Sequence, residues 1–153
     1  MIAPPARAAF QTPYHHLPPG YALVAGDPQA ADDDCAADPL LVVANPGADL
    51  DHPLARDEHF GPALLVLPYG DVDAAIAHAN ANPYRLAASV FTPDPLAFAR
   101  IAARLHYGQV NHNRPTAGAR SELPFGGCGQ SGNGRPAAVA ATAIFADETV
   151  VWG

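Results

Sequence analysis

The sequence contains no lysine: all eight of its basic residues are arginines, against fifteen acidic residues. The absence of lysine excludes a Schiff-base lysine and the lysine of a phosphate-binding loop. The formal net charge of −7 argues against nucleic acid or an anionic membrane as a partner, because both attract clustered basic side chains. No apolar run approaches the length needed to cross a bilayer. We therefore expect neither nucleic-acid binding nor membrane insertion.

Cysteine is also scarce. Cys35 and Cys128 belong to no CxxC pair and make no disulfide framework, so a reducing cytoplasm is the simplest location. Acidic neighbours disfavour the thiolate of Cys35, and Cys128 in a glycine-rich stretch is interpreted as a small packing residue. The seven histidines show no spacing of three or four residues and no cysteine or carboxylate cluster at ligand spacing. We predict no metal site.

Two regions differ in composition. Residues 1–38 are rich in proline and alanine, and we interpret them as an irregular lead-in with one short strand at residues 21–24. Residues 39–153 carry a sharper periodicity. Hydrophobic residues make up 49% of the chain and charged residues only 15%, which is typical of a globular protein with large buried or interface area.

Strand and helix patterns alternate in the second region. Apolar runs predict strands at residues 40–43, 63–69 (buried) and 86–92. Residues 108–113 are a further strand candidate. Two helices are predicted between the later strands, one capped by Asp71 or Asp73 and one begun by Asp94-Pro95. A further helix is predicted at 136–145 and a closing strand, able to pair with another subunit, at 148–152. This order predicts an α/β fold with a partial doubly wound, mostly parallel sheet.

The stretch Gly127–Gly132 matches the letters of a dinucleotide fingerprint, GxGxxG. A functional fingerprint follows a strand, opens a helix and has an acidic residue about twenty positions further on. Here the stretch follows Pro124-Phe125, and the next predicted helix begins only at Pro136. We reject a dinucleotide site at this loop. The glycines are expected to allow positive φ angles where the loop packs closely against another segment.

Several segments, in a fixed order, carry a family resemblance. They include DEHFGP at 57–62, LAASVFT at 86–92, GQVNHN at 108–113, TAGARS at 116–121 and PFGG at 124–127. From Arg56 onward the sequence resembles the aldehyde dehydrogenase superfamily, most closely its succinylglutamate semialdehyde dehydrogenase branch. The resemblance implies the C-terminal half of an aldehyde dehydrogenase catalytic domain. It also implies that the closing strand is an oligomerisation arm.

The resemblance implies roles for individual residues. Glu58 matches the glutamate that accepts hydrogen bonds from the nicotinamide ribose, and Phe60 matches the aromatic residue beside that ribose. Phe125 matches the phenylalanine that lines the substrate tunnel, and Asn113 an asparagine near its inner end. The loop that anchors the distal end of the substrate corresponds to residues 116–121, where a carboxylate could meet one of two side chains, Arg120 or Ser121.

The chemistry of the family is not complete in this sequence. Aldehyde oxidation needs a cysteine thiolate, an oxyanion hole, a hydride acceptor and a base, and in the family the cysteine, base and nucleotide-binding folds lie upstream of the matched part. We therefore expect a truncated homologue without a catalytic residue, with no cofactor bound by the isolated chain. It would act as an oligomeric structural or interaction module, as a homo-oligomer or with a full-length homologue or complementing chain.

Two alternatives remain open. In the first, the chain is one part of a split NAD(P)-dependent semialdehyde dehydrogenase, active with NAD or NADP when a partner chain supplies the missing parts. In the second, the chain is a binder of a small carboxylate-bearing ligand, held by Phe125 and the anchor loop. An assay for NAD(P) reduction with the partner present tests the first, and thermal stabilisation by semialdehydes and their acids tests the second.

Overall fold

The computed structural model describes residues 3–30, 36–118, 122–132, 141–142, 145–147 and 149–153. The chain forms two compact units, Met1–Gly70 and Asp71–Gly153. Within the described ranges, no helix is both long enough and apolar enough to span a membrane.

The first unit is built on a three-stranded sheet. Along the chain it contains α1 (Pro4–His15), β1 (Tyr21–Ala25), β2 (Leu40–Ala44), α2 (Pro53–Arg56) and β3 (Ala63–Val66). The strand order is β1-β2-β3, with β2 antiparallel to β1 and parallel to β3. The central strand β2 is the most buried, and its inward-facing side chains share one core cluster with Phe10 and Tyr14 of α1. The core cluster comprises Phe10, Tyr14, Tyr21, Leu40, Val42, Ala44 and Leu54.

The prediction of an irregular lead-in was wrong, although its short strand is confirmed as β1. Pro4 and Pro5 occupy the first turn of α1, where backbone N–H groups have no intrahelical partner and proline is well tolerated. Pro13 lies inside the helix but only two residues before its end at His15. The prolines therefore mark the two ends of a helix rather than an absence of structure, and alanines fill much of the interval.

The prediction that residues 63–69 are a buried strand was also wrong in part. The strand β3 is present but spans only Ala63–Val66. Leu64 is 61% exposed and Val66 39% exposed, whereas Ala63 and Leu65 pack against the core. Successive side chains of a strand point to opposite faces, so only one face of β3 contacts the core of this unit.

The second unit combines two helices with paired short strands. Its elements are α3 (Val72–Ala81), β4 (Tyr84–Arg85), β5 (Ala87–Val90), α4 (Pro95–Ala102), β6 (Gln109–His112) and β7 (Cys128–Gly129). Strands β5 and β6 are parallel, and β4 and β7 are antiparallel. The parallel pairs β2–β3 and β5–β6 confirm the predicted α/β class.

Both helix starts in the second unit follow the predicted capping. The carboxylate of Asp71 accepts hydrogen bonds from the backbone N–H groups of Asp73 (3.1 Å) and Ala74 (3.2 Å) at the start of α3. Asp94 caps α4 in the same way, accepting from the N–H of Leu96 at 2.8 Å. The carboxylates satisfy amide groups that a helix leaves without internal partners.

The closing strand predicted at 148–152 does not form in the single chain. Residues 149–153 contain no strand, and Glu148 lies outside the described residues. A strand needs a neighbouring strand for its backbone hydrogen bonds, and this segment has none within the described part of its own chain. Of the helix predicted at 136–145, residues 136–140 and 143–144 lie outside the described ranges.

Candidate functional site

The segment that carries Glu58 and Phe60 is held at the start of β3. The backbone N–H of Leu40 donates to the carbonyl of Pro62 at 2.8 Å, which ties the segment to β2. The ring of Phe10 lies where a β-carbon on Gly61 would be, so only glycine allows this approach of α1. The segment is therefore positioned by two elements of the first unit.

Side chains in this segment alternate between the core and the solvent. The ring of His59 faces α1, with its centroid 5.3 Å from that of Tyr14 and the planes inclined by 59°. Glu58 is exposed, and Phe60 is 78% exposed. No basic group of the described residues forms an ion pair with Glu58, so its carboxylate oxygens are available as acceptors for ribose hydroxyls. The two side chains thus suit the ribose contacts that the resemblance implies, and this role stays a prediction.

Asn113 joins the carboxyl ends of β5 and β6. Its side-chain Oδ1 accepts from the backbone N–H of Thr92 at 2.9 Å, and its Nδ2 donates to the carbonyl of Thr92 at 2.9 Å. The residue has a φ of +51°, a conformation that asparagine adopts more readily than most residues. Both polar ends of the amide are therefore engaged by backbone. These hydrogen bonds do not test the predicted contact of Asn113 with a substrate, which stays a prediction.

Polar and aromatic contacts connect the helices of the second unit to β6 and to Tyr107, which precedes it. The ring of His112 stacks on Phe98 of α4, with centroids 4.4 Å apart and planes inclined by 13°. Tyr107 donates from its hydroxyl to the carbonyl of Ala79 at 2.9 Å. Burial raises the pKa of the Tyr107 hydroxyl, and Arg85 acts in the opposite direction. These contacts stabilise the packing of α3 and α4 around β6.

The glycine-rich loop packs closely, as predicted. Strand β7 pairs with β4, and the N–H of Gly127 donates to the carbonyl of Ser131 at 3.1 Å, closing a tight turn. Gly129 has a φ of +60°. A β-carbon on Gly108 would overlap the backbone of Gly126, so this glycine is required for close approach. The expectation of positive φ and close packing is confirmed.

A cavity of about 530 Å³ lies beside β6 in the second unit. Phe125 lines it, whereas Asn113 does not, and Arg120 and Ser121 lie outside the described residues. The described residues that line it are Gly108, Gln109, Val110, Asn111, Arg114, Pro115, Ala117, Gly118, Leu123, Pro124 and Phe125. Among the described ranges, no group of three or more histidine, cysteine or acidic side chains is arranged to hold a metal ion.

Comparison with known proteins decides the family. The sequence matches the aldehyde dehydrogenase family over residues 18–150, which is most of the chain. This chain belongs to the aldehyde dehydrogenase family. The N-succinylglutamate 5-semialdehyde dehydrogenase 1 of Caulobacter vibrioides is 49% identical over 88 residues, which are 58% of this chain and 19% of that protein. The corresponding enzyme of Burkholderia multivorans is 46% identical over 85 residues, 56% of this chain and 18% of that protein.

Solved structures of aldehyde dehydrogenases share the fold. A double mutant of the betaine aldehyde dehydrogenase of Staphylococcus aureus, in complex with NAD+, matches with a TM-score of 0.82 and 26% identity, over 95% of this chain and 29% of that one. The succinic semialdehyde dehydrogenase of Streptococcus pyogenes, in complex with NADP+, matches with a TM-score of 0.76 and 28% identity, over 86% of this chain and 28% of that one. The chain spans about a fifth of the length of the curated relatives it matches.

Three polar or charged residues of this aldehyde dehydrogenase homologue were not predicted from the sequence to lie at the cavity: Gln109, Asn111 and Arg114. Gln109 and Asn111 lie on β6, and Arg114 follows its carboxyl end. Ligands of open α/β sheets bind beyond the carboxyl ends of parallel strands. Applied to the predicted strand 108–113, this rule would have selected Arg114.

Proposed function

We propose that this chain acts as an interaction module of the aldehyde dehydrogenase family, as a homo-oligomer or docked on a longer homologue, without dehydrogenase activity of its own. The observation that carries the proposal is its closing segment. Val150, Val151 and Trp152 are 89%, 88% and 94% exposed. Consecutive apolar side chains in solvent are typical of a surface that becomes buried in an assembly. A segment of this composition can add to the sheet edge of another subunit.

The position of Cys128 supports the absence of autonomous activity. Aldehyde oxidation by this family needs a thiolate beside the bound aldehyde. Cys128 belongs to β7, paired with Arg85 of β4, and does not line the cavity that Phe125 borders. The other cysteine, Cys35, lies outside the described residues. The described side chains thus offer the cavity no nucleophilic sulfur.

The assembly is tested by introducing charge into the closing segment. Sedimentation velocity of the wild-type chain is expected to show association that increases with concentration. The double variant Val150→Asp/Val151→Asp should raise the dissociation constant by about tenfold or more, because two charges would have to be buried in the interface. Val24→Asp is the matched control, since Val24 is also exposed, at 59%, but lies on β1. It is expected to leave association unchanged.

Two results would contradict the interaction module. One is a wild-type chain that stays monomeric at the highest attainable concentration and also in a mixture with a full-length homologue. The other is equal weakening by Val24→Asp and by the double variant, because association would then follow general surface hydrophobicity rather than the closing segment.

A second candidate function, one part of a split dehydrogenase, is favoured by the sheet of the second unit. All residues of β5 and β6 are only half-buried. Parallel sheets are normally covered on both faces, so a complementing chain would complete the cover. Phe91 and Leu96, both 71% exposed, would add to such an interface. In the assembled enzyme Glu58 and Phe60 would hold the nicotinamide ribose of NAD or NADP, and the nucleotide would supply the hydride acceptor.

Activity in trans tests the split enzyme. The chain is co-expressed with a polypeptide that carries the cysteine, base and nucleotide-binding folds, and NAD(P) reduction with a semialdehyde is measured. Glu58→Gln is expected to lower kcat/KM by about tenfold or more, because it weakens charge-assisted hydrogen bonds to the ribose. Asp57→Asn is the control, since Asp57 is the adjacent exposed carboxylate. No reduction with the complement, or equal rates for both variants, would contradict this candidate.

A further inference from the structure

The three-stranded sheet of the first unit has helices on only one of its faces. Phe10 and Tyr14 of α1 and Leu54 of α2 all belong to the core cluster, together with the inward-facing side chains of β2. Parallel strands, such as β2 and β3, are normally covered on both faces. The second face of this sheet has no covering helix within the described part of the first unit.

The side chains on that second face are all apolar. Successive residues of a strand point to opposite faces, and Leu41 pairs with Leu64 as Val43 pairs with Val66. Val24, Leu64 and Val66 are 59%, 61% and 39% exposed, and the remaining three side chains are half-buried. Contiguous apolar surface of this kind is typical of a protein interaction site. We call this surface the outer face, and it consists of Ala22, Val24, Leu41, Val43, Leu64 and Val66.

The dimensions of the outer face suit one α-helix. Neighbouring strands lie about 4.8 Å apart, so three strands are about 10 Å wide, which is also about the diameter of a helix. Strands β1 and β2 have five residues each, and five residues of a strand extend over about 17 Å, or about three helical turns. A single amphipathic helix would therefore cover the face.

The net charge of the chain is concentrated in the first unit. Residues 1–70 contain nine acidic and two basic residues, whereas residues 71–153 contain six of each. The formal net charge of −7 therefore belongs to the unit that has the outer face. Two copies joined through this face would bring two units of the same negative charge together, which disfavours a second copy as the occupant.

Acidic side chains lie at one end of this sheet. Because β1 is antiparallel to β2, and β3 is parallel to β2, the end of β1 and the starts of β2 and β3 meet there. Asp27 follows β1, Asp38 precedes β2, and Asp57 and Glu58 precede β3. No basic side chain in the described ranges forms an ion pair with any of these four. Basic residues beside the apolar stripe of a partner helix would complement this acidic end.

We propose that the outer face binds a basic amphipathic helix of another protein, with the apolar stripe of that helix on Leu64 and Val66. Burial of the apolar side chains supplies the driving force, and the acidic end selects a helix with positive charge and orients it. The outer face belongs to the first unit, whereas the closing segment belongs to the second. The proposal therefore goes beyond the interaction module and does not depend on it.

Fluorescence anisotropy with labelled peptides tests the outer face. The probe is a peptide of about 18 residues, or five helical turns, with leucine at every third or fourth position and lysine elsewhere. It is expected to bind the wild-type chain at least about tenfold more tightly than a peptide in which glutamate replaces lysine. A third peptide keeps the leucines and lysines but permutes their order so that no apolar stripe forms. It is also expected to bind at least about tenfold more weakly than the probe.

Substitutions on the outer face test the apolar contact. Leu64→Ser/Val66→Ser is expected to weaken binding of the lysine peptide by about tenfold or more, because both apolar side chains are lost. Val72→Ser/Leu96→Ser is the matched control, since it removes the same side chain types from positions in the second unit that are 42% and 71% exposed. The control is expected to leave binding unchanged. All four side chains are exposed, so the unfolding midpoints are expected to stay close to that of the wild type.

A single charge at the acidic end tests the orientation. Asp27→Asn is expected to weaken binding of the lysine peptide by about threefold at low salt. Asp49→Asn is the matched control, because Asp49 lies at the opposite end of the sheet, where its carbonyl accepts from the hydroxyl of Tyr21 at 2.6 Å. Both carboxylates accept from the backbone N–H two residues later, at 2.8 Å and 3.0 Å, which asparagine can also do. The control is expected to leave the affinity within the error of the measurement.

Five results would overturn the proposal. Three are equal affinities for the lysine and glutamate peptides, equal affinities for the ordered and permuted peptides, and equal effects of the two serine double variants. The fourth is an equal effect of Asp27→Asn and Asp49→Asn, because attraction would then depend on net charge alone. The fifth is that Leu64→Ser/Val66→Ser abolishes self-association while no peptide binds, which would make a second copy the occupant of the face.

Discussion

Replacing Gly108 with alanine is expected to lower the free energy of unfolding of the second unit by about 3 kcal/mol, the upper end of the usual cost of overpacking. A β-carbon at this position would overlap the carbonyl of Gly126 and the α-carbon of Gly127. Both are backbone atoms of buried residues and cannot turn aside as a side chain can. The N–H of Gly108 also donates to the carbonyl of Arg85 at 3.1 Å, which holds the residue in place. The clash is therefore expected to displace the loop that carries Phe125.

Urea unfolding followed by far-UV circular dichroism measures the loss of stability, and hydrogen exchange at residues 123–132 locates it. Gly70→Ala is the matched control, because, apart from its two chain neighbours, no described residue has an atom within 4 Å of a β-carbon built on Gly70. Its effect is expected to stay within about 0.5 kcal/mol. An alanine at position 108 that unfolds at the wild-type midpoint, with unchanged exchange in the loop, would show that the close backbone approach does not exist in solution.

Local features of the fold were predictable from the sequence. Asp71 and Asp94 cap the helices they were expected to cap, because capping depends only on residues two or three positions away. The strands β2 and β5 follow short apolar runs, whose meaning is equally local. Strand β6 lies within the candidate strand at residues 108–113.

Features set by distant parts of the chain were not predictable. Strands β4 and β7 have two residues each and exist only because Tyr84 meets Gly129, although β5, α4 and β6 lie between them in the chain. The closing segment has the composition of a strand, but the described part of its own chain offers it no second strand to pair with. Arg114 was missed for a related reason, since its place in the lining of the cavity is a property of the folded chain.

Residues 1–38 show that the effect of a proline on a helix depends on its position in that helix. The prolines of residues 1–38 contributed to the prediction of an irregular lead-in, yet Pro4 and Pro5 stand at the only turn of a helix in which proline loses no hydrogen bond. What then holds α1 is packing. Its aromatic side chains fill the space beside β2, and this requires long-range contacts that composition does not reveal.

Replacing Phe10 with alanine is expected to destabilise the first unit by about 3–5 kcal/mol, the usual cost of removing a buried phenylalanine ring. Phe10 is 3% exposed, contacts Gly61, and lies 5.4 Å from the ring of Tyr14 between centroids. Loss of the ring should release α1 and increase hydrogen exchange at β2. Urea unfolding and exchange mass spectrometry measure both effects.

Phe60→Ala is the matched control for Phe10→Ala, because it removes the same side chain from a position that is 78% exposed. Its effect on stability is expected to stay within about 0.5 kcal/mol. The pair also separates two descriptions of residues 1–38. An irregular lead-in predicts that both substitutions are harmless, since neither ring would belong to a core. A helix that covers β2 predicts a loss of stability only for Phe10→Ala. Equal urea midpoints for the two variants would therefore support the irregular lead-in that was predicted from the sequence.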